Sequence, residues 1–361
     1  MQSQRLPELD FFRGIALLVI VVDHVGGSIL SRFTLHTYAF NDAAEVFVFL
    51  GGYATATAYA SLAARHGVRT ARQRFVQRAG LLYRAFLLTA ALMLVLSAAL
   101  GALRLDAPNL ASADLQDFVD APLRTVIDVA SFQRQPYLAS ILPMYVAFAL
   151  ATPIVVPLAQ RTPWRVLIGS TAMWGVASLA ARWLPSADQT PWDFNPLAWQ
   201  LIFVLGVLVR CQPIYQRVQT WRAAKAVSVA ALTLVIGLGW AKLSGVGGLG
   251  GYADKPNLDG LRVANFLAMS WLAADLTRQG WIGQLARRLR WIGEVGRDGL
   301  ASFIAGAAIS LVIDSVLYAT TDGLLHVPLG LAADAVAIGA LFAVTLARRR
   351  RASYRAAAVT A

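Results

Sequence analysis

Apolar stretches close to the roughly 20 residues that a helix needs to cross a bilayer recur from one end of this chain to the other. They fall at about 11–30, 43–63, 79–101, 137–158, 166–184, 196–210, 226–243, 262–277, 299–319 and 329–347. A chain built this way has few folds open to it. Its 361 residues are 57% hydrophobic and only 14% charged, whereas a soluble chain devotes about 25% of its residues to charge. The expected fold is an all-α polytopic membrane bundle of about ten helices, a single domain over residues 1–361 with a basic tail from about residue 348.

The intervening loops alternate in charge. Residues 64–78 carry Arg65, Arg69, Arg72, Arg74 and Arg78, while 102–136 carries Asp106, Asp114, Asp117, Asp120 and Asp128. Later basic segments hold Arg161 and Arg165, then Arg217, Arg222 and Lys225, then Arg287, Arg288 and Arg290, and the tail reads "RRRRASYR". Positive charge beside span ends marks the cytoplasmic face, and about ten crossings put all these segments on that face with both termini inside. This accounts for the net charge of +12 without a nucleic-acid partner. The single cysteine, Cys211, rules out an intramolecular disulfide and a cysteine-built metal site. The glycine-rich "GVGGLGGYADKPNLDG" lacks phosphate-loop spacing and reads as an outer loop.

Polar groups inside the apolar stretches are the candidates for chemistry, because each costs roughly 2.5–3.5 kcal/mol at bilayer depth. Arg13 and His24 stand eleven positions apart in "RGIALLVIVVDH". On a helix that offset is about 20° beyond three turns and about 16 Å of rise, so both share one face at different depths. Asp23, Asp314 and Asp334 also interrupt apolar runs. The plainer reading is that such groups tie helices together by hydrogen bonds. Glu45, at the start of the second span, lies at a depth from which it reaches His24 or a hydroxyl beside it. Arg74 and Arg78 stand one turn apart at the inner end of the third span, with Arg84 deeper. The pattern fits acyl transfer. Arginines at the inner mouth would hold the phosphates of an acyl-coenzyme A, and His24 would act as general base toward an external hydroxyl or accept the acyl group first. No resident cofactor or metal is expected. A proton-coupled transporter using Asp23, Asp314 and Asp334, or a non-catalytic membrane component of a glycan-synthesis complex, are the alternatives.

"LDFFRGIALLVIVVDH" followed by "DAAEVFVFLGGY" resembles the opening of the OpgC family, glucan biosynthesis protein C, within the acyltransferase 3 superfamily. The likeness continues through "ILPMYVAFALATP", "FNPLAWQLIFVLG", "KPNLDGLRVANFLA" and "GRDGLASFIAG". It implies succinylation of osmoregulated periplasmic glucans at a bacterial inner membrane, with succinyl-coenzyme A as donor. It further implies that Arg13 and His24 occupy the superfamily's essential positions and Arg84 the third-span basic motif. Asn195, Trp199 and Gln200, at the outer mouth of the sixth span, are candidates to hold the glycan acceptor. The chain departs from the family pattern at Gly26 and Ser28, where proline and asparagine are expected, and at Gly51, where serine is expected.

Overall fold

The computed structural model of the chain describes residues 7–105, 115–136, 138–187, 190–320 and 326–360, with side chains omitted at 320 and 352–360. Asp106 and Asp114 of the acidic loop, and the side chains of the last residues of the basic tail, lie outside the described residues. Among the described residues 83% are helical and none is in a strand. The chain is all-helical. Five helices are long and apolar enough to cross a membrane: Ala43–Ala102, Ile141–Arg161, Ala224–Ser244, Gly299–Ala319 and His326–Arg351.

The principal helices are α1 (Pro7–Asp23), α2 (Ala43–Ala102), α3 (Ile141–Arg161), α4 (Pro163–Gly175), α5 (Pro196–Cys211), α6 (Ala224–Ser244), α7 (Gly260–Arg278), α8 (Trp281–Arg288), α9 (Arg290–Arg297), α10 (Gly299–Thr320) and α11 (His326–Thr360). Each apolar stretch marked in the sequence overlaps one of these helices or an arm of one, although the first, marked to residue 30, is helical only to Asp23. Helix starts are written locally. Asp42 and Glu45 form a capping box at the start of α2. Asn195 caps α5, whose first residue is Pro196.

The second and third apolar stretches differ from expectation, because residues 64–78 are helix and not loop. The helix breaks only at Gly67, whose φ of 82° and ψ of 159° are open to glycine and almost nothing else. Tyr59 and Phe75 meet with ring centroids 5.5 Å apart, although a straight helix would separate them by about 24 Å. The chain therefore reverses at Gly67 into two antiparallel arms, 43–66 and 68–102. The run "ARQRFVQRAG" keeps helical form right up to the bend because Ala, Arg and Gln are strong helix formers. The fifth stretch is also broken: α4 ends at Gly175, and two short turns (Ala177–Ala180 and Ala181–Trp183) carry the chain onward. The amphipathic segment after residue 115 is split at Pro122 into Leu115–Asp120 and Pro122–Ala130.

Close packing of the bundle depends on glycine at crossings. A Cβ on Gly52 would stand 2.0 Å from the Phe203 carbonyl oxygen, and one on Gly206 would stand 2.1 Å from that of Phe49. The first arm of α2 and α5 thus approach backbone to backbone, as small-residue interfaces allow. Behind them Phe148 stacks on Phe203 at 4.6 Å, and Trp199, Ile202 and Met144 are fully buried. α1 packs on α9 and α10, with Gly14 against the Ile292 carbonyl and Gly296 against that of Asp10.

Candidate functional site

The loop after α1 brings His24 to a cavity of about 390 Å³. This loop needs partners for its backbone, and two carboxylates from apolar helices supply them. Asp314 Oδ1 accepts from Gly26 N–H at 2.7 Å. Asp334 Oδ2 accepts from Ile29 and Leu30 N–H at 3.0 and 2.9 Å. Proline at position 26 would lack the N–H that Asp314 uses, so this departure from the family pattern has a structural counterpart. His24 Nδ1 lies 2.6 Å from the Ile20 carbonyl oxygen. A carbonyl only accepts, so Nδ1 carries the proton there and Nε2 of the neutral ring bears the lone pair.

Around His24 the cavity is lined by Asp23, His36, Asp42, Asp193, Phe194 and Lys255, with Ile141 and Phe303 at its inner limit. Asp23 Oδ1 accepts from Thr34 Oγ1 at 2.7 Å and lies 3.2 Å from His36 Nδ1. Asp42 is the centre of an ion cluster. Its Oδ2 lies 2.9 Å from Lys255 Nζ and 3.1 Å from Arg262 Nη2, while Oδ1 accepts from Ala44 N–H at 2.7 Å. Burial alone would raise the Asp42 carboxyl, but Lys255 and Arg262 outweigh burial and hold it well below the ordinary carboxylate range.

A second cavity, of about 810 Å³, opens from the other side of Ile141 and Phe303, which line both. Its wall carries Arg13, Arg78, Arg84, Arg297 and Arg348, with Asp298 as its one carboxylate among the described residues, and Tyr145, Phe75 and Phe148 supply much of the apolar surface. One cavity is cationic, and the other gathers two histidines, three carboxylates and a lysine. The two stand back to back.

The candidate residues sort onto these walls unevenly. His24 and Asp23 line the smaller cavity; Arg13, Arg78 and Arg84 line the larger. Arg74 is exposed and lines neither. Glu45 does not reach the His24 cavity. Its Oε2 accepts from Asp42 N–H at 2.9 Å and its Oε1 from Arg262 Nε at 2.7 Å, so both oxygens are engaged in fixing the start of α2. Asp23 is engaged by Thr34 and His36, and adjacent residues on a helix point about 100° apart.

Asn195, Trp199 and Gln200 are turned inward and not toward the mouth. Asn195 Nδ2 donates to Ala177 O and Asn257 Oδ1, both at 3.0 Å. Trp199 Nε1 donates to the Lys255 carbonyl at 3.0 Å, and Gln200 bonds Ser170. Asn195 and Trp199 hold the 255–258 loop in place, and the groups that face the cavity are their neighbours Asp193, Phe194 and Lys255. Sequence reasoning passed over these three, and Asp42 with them. The signal was faint but present: Asp42, Lys255 and Phe194 each open a family-like segment, and Asp193 directly precedes the last of these. Asp314 and Asp334 bind loop backbone, and Asp275 accepts from Tyr215, Gln219 and Ser228. None of the three lines either cavity.

Comparison with known proteins yields one match. A family model described as OpgC protein covers residues 5–353. No curated protein and no solved structure matches the chain.

Proposed function

The chain belongs to the OpgC family, and from that premise we propose that it modifies osmoregulated periplasmic glucans as a membrane-bound O-acyltransferase. It moves succinyl, or a similar short acyl group, from cytoplasmic acyl-coenzyme A to glucan hydroxyls at the bacterial inner membrane. The observation that carries this reading is the pair of cavities meeting at Ile141 and Phe303, one lined by five arginines and the other by His24. Arginine forks suit phosphates, and carboxylates beside Phe194 suit a hydroxyl-rich sugar that donates hydrogen bonds and offers apolar ring faces. The thioester would sit at the divide, where the two substrates meet.

In this scheme His24 Nε2 takes the proton of a glucan hydroxyl while the oxygen attacks the thioester carbonyl. The carbon–sulfur bond breaks, and the coenzyme A thiolate leaves with a proton returned by the imidazole. Glu45 acts at one remove, as a positioning residue for Arg262 and Asp42. Arg13 and Arg78 hold donor phosphates from opposite helices, with Arg84 beside them. Asn195, Trp199 and Gln200 serve the acceptor by setting the loop that presents Asp193, Phe194 and Lys255.

Topology follows the same reading: about ten crossings with both termini in the cytoplasm. Its support is the sorting of helix ends. The five arginines of the larger cavity stand near the start of α1, near the start of the second arm of α2, at the end of α9 and beyond the apolar part of α11. The His24 cavity draws on the end of α1, the starts of α2 and α3, and the segments entering α5 and α7. Alternating crossings put each set on one face.

His24→Ala tests the function. The variant should remain inserted and melt near the wild-type temperature, with acyl transfer to periplasmic glucan reduced by at least about 100-fold. Both quantities are read on one preparation. An active His24→Ala protein would end the catalytic assignment, and a destabilised one with normal activity per folded molecule would make His24 a packing group.

A further inference from the structure

The basic tail, which looks like a topology signal in the sequence, and the short helix α9 each place an arginine in the wall of the larger cavity. Arg297 closes α9, and Arg348 lies on α11 beyond its apolar part. The two are held differently. Arg297 Nη1 is 3.1 Å from Glu294 Oε1 and its Nε is 3.5 Å from Asp10 Oδ2. Among the described residues Arg348 has no ion pair, and neither do Arg13, Arg78 and Arg84 on the same wall. Its neighbour Arg349 pairs with Glu294 through the second carboxylate oxygen. Glu294 therefore ties α9 to α11 and sets the position of Arg348 over the cavity.

This wall asks for more than one anionic group. A single phosphate monoester presents three terminal oxygens, and each guanidinium presents a fork of donors that binds two oxygens at once. Arg297 is paired by Glu294 and Asp10, but the other four guanidiniums against one lining carboxylate still leave a strongly positive cavity, walled in part by apolar side chains that concentrate the field. The arginines also come from four separate parts of the chain. If the thioester end points to the divide at Ile141 and Phe303, the nucleotide end of the carrier lies at the far mouth, beside α11.

We infer that Arg348 is a donor-binding residue that takes the ribose phosphate of the carrier, and that the Glu294–Arg349 pair is there to position it. This rests on the acyl-coenzyme A reading above. The donor class is narrowed to carriers with phosphate at two separated places, which excludes pantetheine thioesters and disfavours dephospho-coenzyme A.

The test is calorimetric titration of the purified full-length protein with coenzyme A and with dephospho-coenzyme A, which lacks the ribose phosphate alone. Wild type should bind coenzyme A about tenfold more tightly than the dephospho form, the loss expected for one charge-assisted pair. Arg348→Gln should bind both forms with the weaker affinity, so that the ratio falls to about one. Glu294→Gln, which also releases Arg297, should lower the ratio part of the way, with Arg348→Gln as the decisive variant. Arg350→Gln, on an exposed residue off the cavity wall, should keep it. An Arg348→Gln protein that retains the wild-type ratio overturns the inference and leaves the donor assignment standing. A wild type that binds neither ligand overturns both.

Discussion

Asp42 shows how a single residue ties the fold to the site. It caps α2 with one oxygen and gathers Lys255 and Arg262 with the other, so it joins the start of one helix to the loop before α7 and the first turn of α7, more than two hundred residues away. Its folded-state value lies below the ordinary one. A depressed carboxyl stabilises fully above the unfolded value of about 3.9 and loses that contribution as pH falls toward the folded value. Asp42 therefore adds no pH dependence between about pH 5 and 8 and an acid-side loss below about pH 4. Asp42→Asn should cost about 1–3 kcal/mol at neutral pH, because a cation pair is left short of one partner. Its melting temperature should be lower on the plateau and fall less steeply in acid. Thermal scans of both proteins from pH 3 to 8 measure this, and identical acid limbs would remove Asp42 as the cause.

Two kinds of glycine act at the scale of the element. Gly67 has no atom within 4 Å of a would-be Cβ, yet its backbone is in a region that L side chains rarely enter. Gly52 and Gly206 have ordinary helical backbone but no room. Gly67→Ala should thus cost about 1–3 kcal/mol through backbone strain alone, loosening the reversal between the two arms of α2. Gly80→Ala, in open space on the second arm, should be neutral or stabilise by up to about 1 kcal/mol. Gly206→Ala should be the most damaging of the three, since the opposing atom is backbone and cannot yield. Melting temperatures in a single detergent rank them, and a harmless Gly206→Ala would contradict the crossing described here. Gly51 makes a smaller case: a Cβ would meet the Tyr145 ring at 3.0 Å, so glycine in place of the family's serine leaves space for Tyr145 OH to donate to Phe47 O.

For the whole molecule, the two cavities divide the bundle into a cationic half and a half with histidine, lysine and carboxylates. In the proposed reaction, a thioester too polar to cross the lipid and a glycan confined to the other side would need such a path. The proposed topology makes a direct prediction. A reporter fused after Ala361 should read as cytoplasmic, and one inserted in the 102–136 loop should read as periplasmic. A third, placed beside Lys255, should match the second because both flank the His24 side. Any two of these reversed relative to one another would break the alternation.

Sequence alone determined the helical membrane class and the location of nearly every apolar helix. Those features depend on local or one-dimensional properties: apolar run length, caps, and the angular spacing of residues on one helix. It also carried the family, through motifs spread along the chain. What it could not decide was which polar groups meet. Glu45 was expected to reach His24 but belongs to Arg262, Trp199 was expected at the outer mouth but faces inward, and Arg348 was counted as tail charge although it lines a cavity. Depth is a coordinate along a helix and can be read from residue number. Facing is set by how helices rotate against one another at crossings such as Gly52 with Gly206, and that is decided only when backbones pack.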